Sequence, residues 1–277
     1  MISDKRIDTT KPLIHVGFAH TGTTSLQENI FQRLPNVFYA GIPYSTLGGI
    51  FSYIKYLDFD DYRFDLTHKL CFDYIFDKMV PGQRLVLSDE TFVDQPATYF
   101  TPAMMPVRMV AERLKYHFGN ATILFTIRSQ YASVLSNYQV YRSRSRSLSG
   151  LEVESFNAWL AGNTTQMRNL YLRNLDISHA IQIYADVFGV ESVKVLPLKI
   201  LMVHGFDVYR DRLSEATGLE LSSFSADAYV ARNKSDDASL NLNDHQRQVI
   251  WERAKEGNKR IARAFGLPLA EFGYPFP

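Results

Sequence analysis

The sequence has little cysteine, little net charge and no long apolar run. The single cysteine, Cys71, cannot form a disulfide bond within the 277-residue chain and is typical of a reducing compartment. The formal net charge of +1 gives no overall field that would attract nucleic acid or an acidic membrane surface. No run approaches the ~20 apolar residues of a membrane-spanning helix, and residues 1–11 lack the apolar segment of a signal peptide. These absences predict a cytoplasmic protein with no membrane span and no nucleic-acid partner.

No pattern of metal ligands stands out either. The histidines are scattered along the chain, and no pair of them has the spacing of a metal-binding site. His15 lies inside an apolar run and is expected to be a hydrogen-bonded histidine of the core. The sequence therefore predicts no metal site.

The composition, with 46% hydrophobic and 21% charged residues, is that of a globular domain with a full core. Apolar runs rich in Val, Ile and Leu alternate with helical patterns, which predicts a doubly wound α/β fold. The predicted strands are Leu13–Gly17, Arg84–Ser88, Ala121–Arg128 and Val193–Pro197. We therefore expect one three-layer α/β/α domain over residues 1–277, with a central parallel sheet and ligands at the carboxyl ends of its strands.

Two segments depart from this background. Residues 38–76 are rich in aromatic side chains, and we predict an aromatic-rich helical insertion near residues 43–80 that packs on the sheet. A wall or lid of an acceptor pocket is the alternative. Residues 142–147 alternate arginine with serine, which indicates either a solvated loop or a grip on an anionic acceptor. Beyond them, a last helix is predicted from about Asn243 to Phe265, before a glycine stop signal.

The most informative segment joins the first predicted strand to a helix. Residues 17–25 read GFAHTGTTS, a glycine-bracketed turn that is rich in hydroxyl side chains. Backbone N–H groups and hydroxyls in such a turn form a cradle for phosphate. The spacing G-x-x-x-x-G-T-T differs by one residue from the nucleotide-binding P-loop, G-x-x-x-x-G-K-[ST]. We predict that an anion is bound by His20, Thr21, Gly22, Thr23, Thr24 and Ser25.

Thr23 occupies the position of the P-loop lysine. The ammonium group that reaches the β- and γ-phosphates of a nucleoside triphosphate is therefore absent. His20 is the only basic side chain in the turn. The loop is suited to a phosphate-like anion but is poorly equipped for a triphosphate.

A second anion subsite is predicted beside this loop. Arg128 ends the third predicted strand, and Ser136 lies on the helix that follows. Parallel strands end at the same edge of a sheet, so both residues are expected near the loop. A guanidinium group binds phosphate through planar, bidentate hydrogen bonds. Two separate anion subsites indicate a nucleotide that carries phosphate at two positions.

These motifs resemble those of bacterial-type sulfotransferases. Residues 17–27 resemble the family's 5′-phosphosulfate-binding loop, and residues 123–128 with 136–138 resemble its 3′-phosphate-binding strand and helix. Residues 258–269 and 273–275 are similar to the closing helix and tail of that bacterial group. The resemblance implies a P-loop-like fold and 3′-phosphoadenosine 5′-phosphosulfate as the donor substrate. It also implies transfer of a sulfuryl group to an acceptor hydroxyl. The aromatic segment would suit sugar rings or phenols and the arginine run an acidic glycan, so we expect a small-molecule or glycan acceptor.

The resemblance also assigns roles to individual positions. Lysine usually stands where this chain has His20, and it contacts the bridging oxygen or the sulfuryl group; imidazole is shorter but can donate a hydrogen bond or act as a cation. Glu90 is the candidate general base, because several sulfotransferases use a glutamate from this part of the fold. The alternative is that Asp89 and Glu90 cap the next helix. Arg232 is assigned to a late basic loop that closes over the 3′-phosphate.

Two other functions stay open at the level of the sequence. A P-loop kinase or NTPase-like phosphotransferase would use Asp89 with Mg²⁺, although Thr23 in place of lysine argues against it. A non-catalytic nucleotide-binding protein is the other alternative, and it is motivated by His20 in place of lysine.

Overall fold

A computed structural model describes residues 11–41, 48–58, 60–93, 106–149, 155–161, 175–229 and 241–277. Its strands are β1 (Leu13–His15), β2 (Val37–Gly41), β3 (Arg84–Ser88), β4 (Thr122–Ile127) and β5 (Val193–Pro197). They form one five-stranded sheet in the order β2-β3-β1-β4-β5, and every neighbouring pair is parallel. The predicted α/β fold with a central parallel sheet is confirmed.

The central position of β1 determines where the candidate site lies. Leu13 pairs with Val86 of β3 on one side and with Thr122 of β4 on the other. All residues of β1 and β4 are buried, as expected for apolar strands that are covered on both faces. Because β1 ends between two other strands, the loop that follows it emerges between the carboxyl ends of β3 and β4.

The observed strands differ from the predicted ones in two respects. β3 and β5 have the predicted bounds, whereas β1 and β4 are shorter at their ends, where the chain turns toward the loops. β2 has no counterpart among the predicted strands. It lies at the sheet edge, and its sequence VFYAG is apolar but not rich in Val, Ile and Leu as the predicted strands are. Its two aromatic residues begin the aromatic-rich segment 38–76, where the sequence predicts mainly helix.

Helices flank the sheet, and no helix in the described ranges has both the length and the apolar character that crossing a membrane requires. The helices are α1 (Thr23–Asn29), α2 (Gly48–Tyr56), α3 (Phe64–Tyr74), α4 (Val107–Phe118), α5 (Gln130–Ser149), α6 (Phe156–Ala161), α7 (Ser178–Phe188), α8 (Lys199–Thr217) and α9 (Asp244–Phe265). Of these, α2 and α3 fall within residues 43–80.

Of the two interpretations of residues 142–147, the solvated loop is wrong. The backbone there is helical, because α5 continues to Ser149. Arginine is a good helix former, so the alternation of arginine with serine does not interrupt a helix that is already formed.

The predicted last helix is confirmed as α9. At its start, the Gln246 N–H donates to the Asn243 side chain at 2.9 Å, and the Asn243 N–H donates to the Gln246 side chain at the same distance. This reciprocal pair is a capping box, which satisfies N–H groups that have no partner within the helix. The helix ends at Gly266, which adopts the left-handed conformation.

Candidate active site

The loop between β1 and α1 packs tightly against the neighbouring strand. A Cβ atom built on Gly17 would lie 2.8 Å from Thr23 Cγ2 and 2.9 Å from Thr126 Oγ1. These distances leave no space for a side chain, so the first position of the loop requires glycine. The Phe18 N–H then donates to the carbonyl of Thr126 at 3.4 Å, which holds the loop along the end of β4.

The turn itself has a left-handed backbone at two positions. The φ angles are 64° at His20 and 84° at Gly22, and His20 is the only non-glycine residue with positive φ in the part of the chain that the structure describes. Such a conformation costs energy in a non-glycine residue and is concentrated at functional sites. A Cβ atom on Gly22 would also lie 2.9 Å from Leu198 Cδ1. The turn is therefore both strained and closely packed.

The hydroxyl groups of the loop face different partners. The Thr21 hydroxyl donates to a carbonyl of the loop at 2.6 Å and so points inward. The Thr23 hydroxyl donates to Glu90 Oε2. The Ser25 hydroxyl hydrogen-bonds the phenol of Tyr229. The hydroxyl of Thr23 thus joins the loop to Glu90, whereas the hydroxyl hydrogen of Thr21 is already used within the loop.

Glu90 lies beyond the end of β3 and is half-buried. Burial raises the pKa of its carboxyl group, and the charge of Asp89 acts in the same direction; the hydrogen bond from Thr23 opposes them. A carboxylate with a raised pKa is a stronger proton acceptor when it is ionised. The structure therefore places a carboxyl group with a raised pKa against the Thr23 hydroxyl of the loop.

Asp89 is bonded quite differently from Glu90. Its Oδ1 accepts from the N–H of Thr91 at 2.9 Å, which caps the short 3-10 helix Glu90–Phe92. Its Oδ2 accepts from Lys55 Nζ at 2.7 Å, and the exposed fractions are 4% for Lys55 and 0% for Asp89. Of the two residues for which the sequence allows a capping role, Asp89 supplies the side-chain cap, and Glu90 lies in the first turn of the short helix.

Arg128 stands just beyond β4 and contacts the turn. Its Nη1 donates to the carbonyl of His20 at 3.2 Å. Burial lowers the pKa of Arg128, and the neighbouring phenol of Tyr274 opposes this shift. Tyr274 is buried, and its hydroxyl has no hydrogen-bond partner within the described residues. The structure thus brings Arg128 to the loop together with a phenol from the C-terminal tail.

The remaining predicted residues are not joined to this constellation by the contacts described above. Thr24 and Ser136 are half-buried. Ser136 lies on α5, about 9 Å along the helix axis from Gln130. Arg232 lies outside the described residues.

Sequence reasoning missed several groups that the fold brings to the site, namely Lys55, Thr126, Tyr229 and Tyr274. Lys55 had a usable signal, because it is the only charged residue of α2, whose sequence is GGIFSYIKY. A lone lysine in an apolar helix is expected to find a buried counter-ion. Tyr274 lies in residues 273–275, which carry part of the family resemblance, whereas nothing in the local pattern distinguishes Tyr229 from core aromatics.

Comparison with known proteins identifies a shared fold. The crystal structure of a sulfotransferase from Alicyclobacillus acidocaldarius matches with a TM-score of 0.63 and 17% identity, over 96% of this chain and 100% of that chain. No family model matches the sequence, and no curated protein matches it. The chain therefore has the fold of a solved sulfotransferase, and its chemistry has to be argued from its own site.

Proposed function

We propose that the protein is a sulfotransferase that transfers the sulfuryl group of 3′-phosphoadenosine 5′-phosphosulfate to a hydroxyl of a small molecule or a glycan. The observation that carries this proposal is the pairing of Glu90 with the loop. A carboxyl group with a raised pKa receives a hydrogen bond from Thr23, the residue that replaces the P-loop lysine. The Glu90 carboxylate, which can accept a proton, thus lies against Thr23, at the position where a P-loop has its triphosphate-binding lysine.

Donor binding would be divided between two anion subsites. The backbone N–H groups of the loop, with Thr24 and Ser25, would hold the 5′-phosphosulfate. Arg128 would hold the 3′-phosphate, with Ser136 and Arg232 contributing to the same subsite. The contact of Arg128 with the carbonyl of His20 supports this division, because it brings a buried guanidinium to the edge of the loop.

The reaction would be an in-line transfer. The acceptor oxygen forms a bond to sulfur while the bond from sulfur to the bridging oxygen of the donor breaks. The acceptor proton moves to the ionised carboxylate of Glu90. His20 would stabilise the negative charge that develops on the leaving phosphate, either by a hydrogen bond or as a cation. Positioning and charge stabilisation would supply most of the rate enhancement.

The environment of Asp89 argues against a Mg²⁺-dependent phosphotransferase. Both of its carboxylate oxygens are occupied, one by Lys55 and the other by Thr91. Within the described residues, no group of three or more His, Cys, Asp or Glu side chains could hold a metal ion. A non-catalytic nucleotide-binding protein is the second candidate, because His20 replaces the lysine of the family pattern.

Ligand-dependent thermal stability, followed by turnover, tests the proposal. The protein is titrated with 3′,5′-bisphosphoadenosine, with 5′-adenylate and with ATP plus Mg²⁺. We expect 3′,5′-bisphosphoadenosine to stabilise the protein by about 2.7 kcal/mol at ~100 Kd and 5′-adenylate to stabilise it less. Labelled donor with glycan and small-molecule hydroxyl acceptors should then yield a labelled product.

The outcomes separate the candidates. Stabilisation by ATP plus Mg²⁺ but not by 3′,5′-bisphosphoadenosine would favour the phosphotransferase. Binding of 3′,5′-bisphosphoadenosine without label transfer to any acceptor class would favour the non-catalytic protein.

A further inference from the structure

A continuous chain of buried hydrogen bonds lies beneath the loop, with His15 at its centre. His15 Nδ1 lies 2.8 Å from Ser88 Oγ, and His15 Nε2 lies 3.1 Å from Thr126 Oγ1. Thr126 Oγ1 lies 2.8 Å from Thr21 Oγ1, which in turn lies 2.6 Å from the carbonyl oxygen of Phe18. The chain therefore joins the end of β3, the centre of the sheet and the end of β4 to the loop.

The direction of these hydrogen bonds follows from the last acceptor. A carbonyl oxygen only accepts, so the Thr21 hydroxyl must donate to it. Its single hydrogen is then used, and Thr126 must donate to Thr21. The hydrogen of Thr126 is used in turn, so the remaining partner, His15 Nε2, must carry a proton and donate to Thr126.

The other side of the imidazole fits this direction. Burial lowers the pKa of His15 to about 3, so the ring is neutral near pH 7 and Nδ1 has a free lone pair. The Ser88 hydroxyl donates to Nδ1. Ser88 Oγ accepts from Gln27 Nε2 at 3.0 Å, and the Tyr39 hydroxyl is bonded to it as well. Every hydrogen-bonding capacity of His15 and Ser88 is thereby satisfied.

We propose that neutral His15, protonated on Nε2, is a positioning residue that sets the conformation of the loop through Thr126 and Thr21. The inference rests on the proposed function only where it concerns nucleotide affinity. Its structural consequence is that the carbonyl of Phe18 is held inward by the hydroxyl of Thr21. A carbonyl oxygen turned toward the ligand would repel a bound anion, so holding it inward keeps the loop suited to anion binding.

Gly17 is part of the same arrangement. A Cβ atom at this position would lie 2.9 Å from Thr126 Oγ1 and 3.1 Å from His15 Nε2. The loop thus lies directly on the hydrogen-bonded pair, and a change in that pair is transmitted to the backbone of the loop.

The tautomer of His15 gives a test that does not depend on activity. Nitrogen-15 NMR distinguishes the protonated from the unprotonated ring nitrogen, and a His15→Gln variant assigns the signals. We expect protonation on Nε2 in the wild-type protein. Thr126→Val removes the acceptor of that proton, so the proton should move to Nδ1. Ser88 can accept it there if the Ser88 hydroxyl turns to donate to the Tyr39 hydroxyl oxygen, which can also accept. Thr126→Ser and Ser88→Ala should both retain the proton on Nε2.

A matched control lies on the same strand. Thr122 is 9% exposed at the start of β4 and lies outside the chain of bonds. Thr122→Val should leave both the tautomer and the loop unchanged. By contrast, Thr126→Val should increase amide hydrogen exchange across residues 18–25, and Thr126→Ser should restore protection. A wild-type protein with the proton on Nδ1, or a Thr126→Val variant with unchanged tautomer and exchange, would overturn the proposal.

Affinity for 3′,5′-bisphosphoadenosine separates this inference from the proposed function. Thr126→Val should weaken binding about tenfold, as expected when a buried hydrogen bond is lost, whereas Thr122→Val should not. If the wild-type protein fails to bind 3′,5′-bisphosphoadenosine, the proposed function is wrong, and the tautomer and exchange measurements still decide the role of His15. If the wild-type protein binds and Thr126→Val binds equally well, the role of His15 in positioning the loop is wrong.

Discussion

Two buried histidines allow a comparison between two regions: the end of the sheet beneath the loop of residues 17–25, and the interface between α3 and α4. His15 is 0% exposed beneath the loop, and His117 is 3% exposed in α4. Burial lowers the pKa of both, to about 3 for His15 and to about 4 for His117. Burial and pKa alone would therefore assign the same role to the two residues.

Their hydrogen bonds distinguish them. Both ring nitrogens of His15 are bonded, whereas Nδ1 of His117 has no hydrogen-bond partner in the part of the chain described. His117 bonds only through Nε2, to the hydroxyl of Tyr62 at 2.5 Å. Its ring packs among aromatic side chains that include Phe64 and Tyr116. His15 is connected to the loop by hydrogen bonds that run from its Nε2 through Thr126. His117 is also buried, but its contacts are those of a packed core residue.

The largest difference between the loop region and the α3–α4 region is expected in turnover, for the variant Glu90→Gln at the loop. As the proposed general base, Glu90 should contribute ~10²–10⁴ to kcat, because the amide of glutamine cannot take up the proton of the acceptor hydroxyl. Donor affinity should change little. Turnover of labelled donor checks the loss, and Glu112→Gln on the exposed face of α4 is the matched control with unchanged turnover.

The stability of the same variant should not fall. Burial raises the pKa of Glu90 in the folded protein. Between the ordinary carboxyl pKa and the raised pKa of Glu90, the folded state binds more protons than the unfolded state. The free energy of unfolding therefore falls as the pH rises through this range. Glutamine removes this loss of stability, and urea unfolding at pH 7 should give an equal or higher free energy of unfolding. A variant with full activity and lower stability would show that Glu90 is structural.

The next largest effect is expected from Arg128→Ala. Loss of a charge-assisted contact should weaken 3′,5′-bisphosphoadenosine by ~1.5–3 kcal/mol, with a much smaller change for 5′-adenylate. Calorimetric titration measures both affinities. Arg108→Ala in α4 removes an exposed partner of Asp186 and should leave both unchanged. Equal weakening of the two nucleotides by Arg128→Ala would contradict the assignment of the 3′-phosphate subsite.

The sequence predicts those parts of the molecule that are continuous in the chain. Residues 84–88 and 193–197 have the predicted bounds because both segments are short, rich in Val and Leu and flanked by helical patterns, although β5 lies at an edge of the sheet and contains Lys194. The edge strand β2 is not predicted, because its residues VFYAG are mostly aromatic or small where the predicted strands have Val, Ile and Leu. The glycine-bracketed loop is recognisable for the same reason as these two strands, since its residues are adjacent in the chain.

The parts of the site that the sequence does not predict come from separate elements. Ser88 and Thr126 are ordinary strand residues until the strand order places them on the two sides of β1. Lys55 reaches Asp89 from a helix that precedes β3. Pairings across such distances in the chain depend on topology, and local periodicity carries no information about them.

A smaller effect should appear when the pH is lowered. The folded-state pKa values of His15 and His117 lie below the value of about 6.5 in an unfolded chain. The unfolded state therefore binds more protons between these values, and stability falls as the pH decreases from about 6.5 to about 4, by up to about 1.4 kcal/mol per pH unit for one histidine. Replacing His117 in the double variant Tyr62→Phe/His117→Phe should reduce this slope in urea unfolding between pH 6.5 and pH 4.5. An unchanged slope would show that His117 does not contribute to acid destabilisation.

The smallest effect is expected from the same double variant at neutral pH. Replacing both partners of a buried hydrogen bond by apolar groups of similar shape is nearly neutral, so its free energy of unfolding should change by less than about 1 kcal/mol. The single variant Tyr62→Phe is the control: it leaves a second nitrogen of His117 unpaired and should cost about 1–3 kcal/mol. Turnover and affinity for 3′,5′-bisphosphoadenosine should match the wild-type values, because the contacts of His117 lie within the aromatic packing of α3 and α4. A double variant that folds but loses nucleotide affinity would contradict the distinction between the two histidines, since His117 would then influence the site as His15 does.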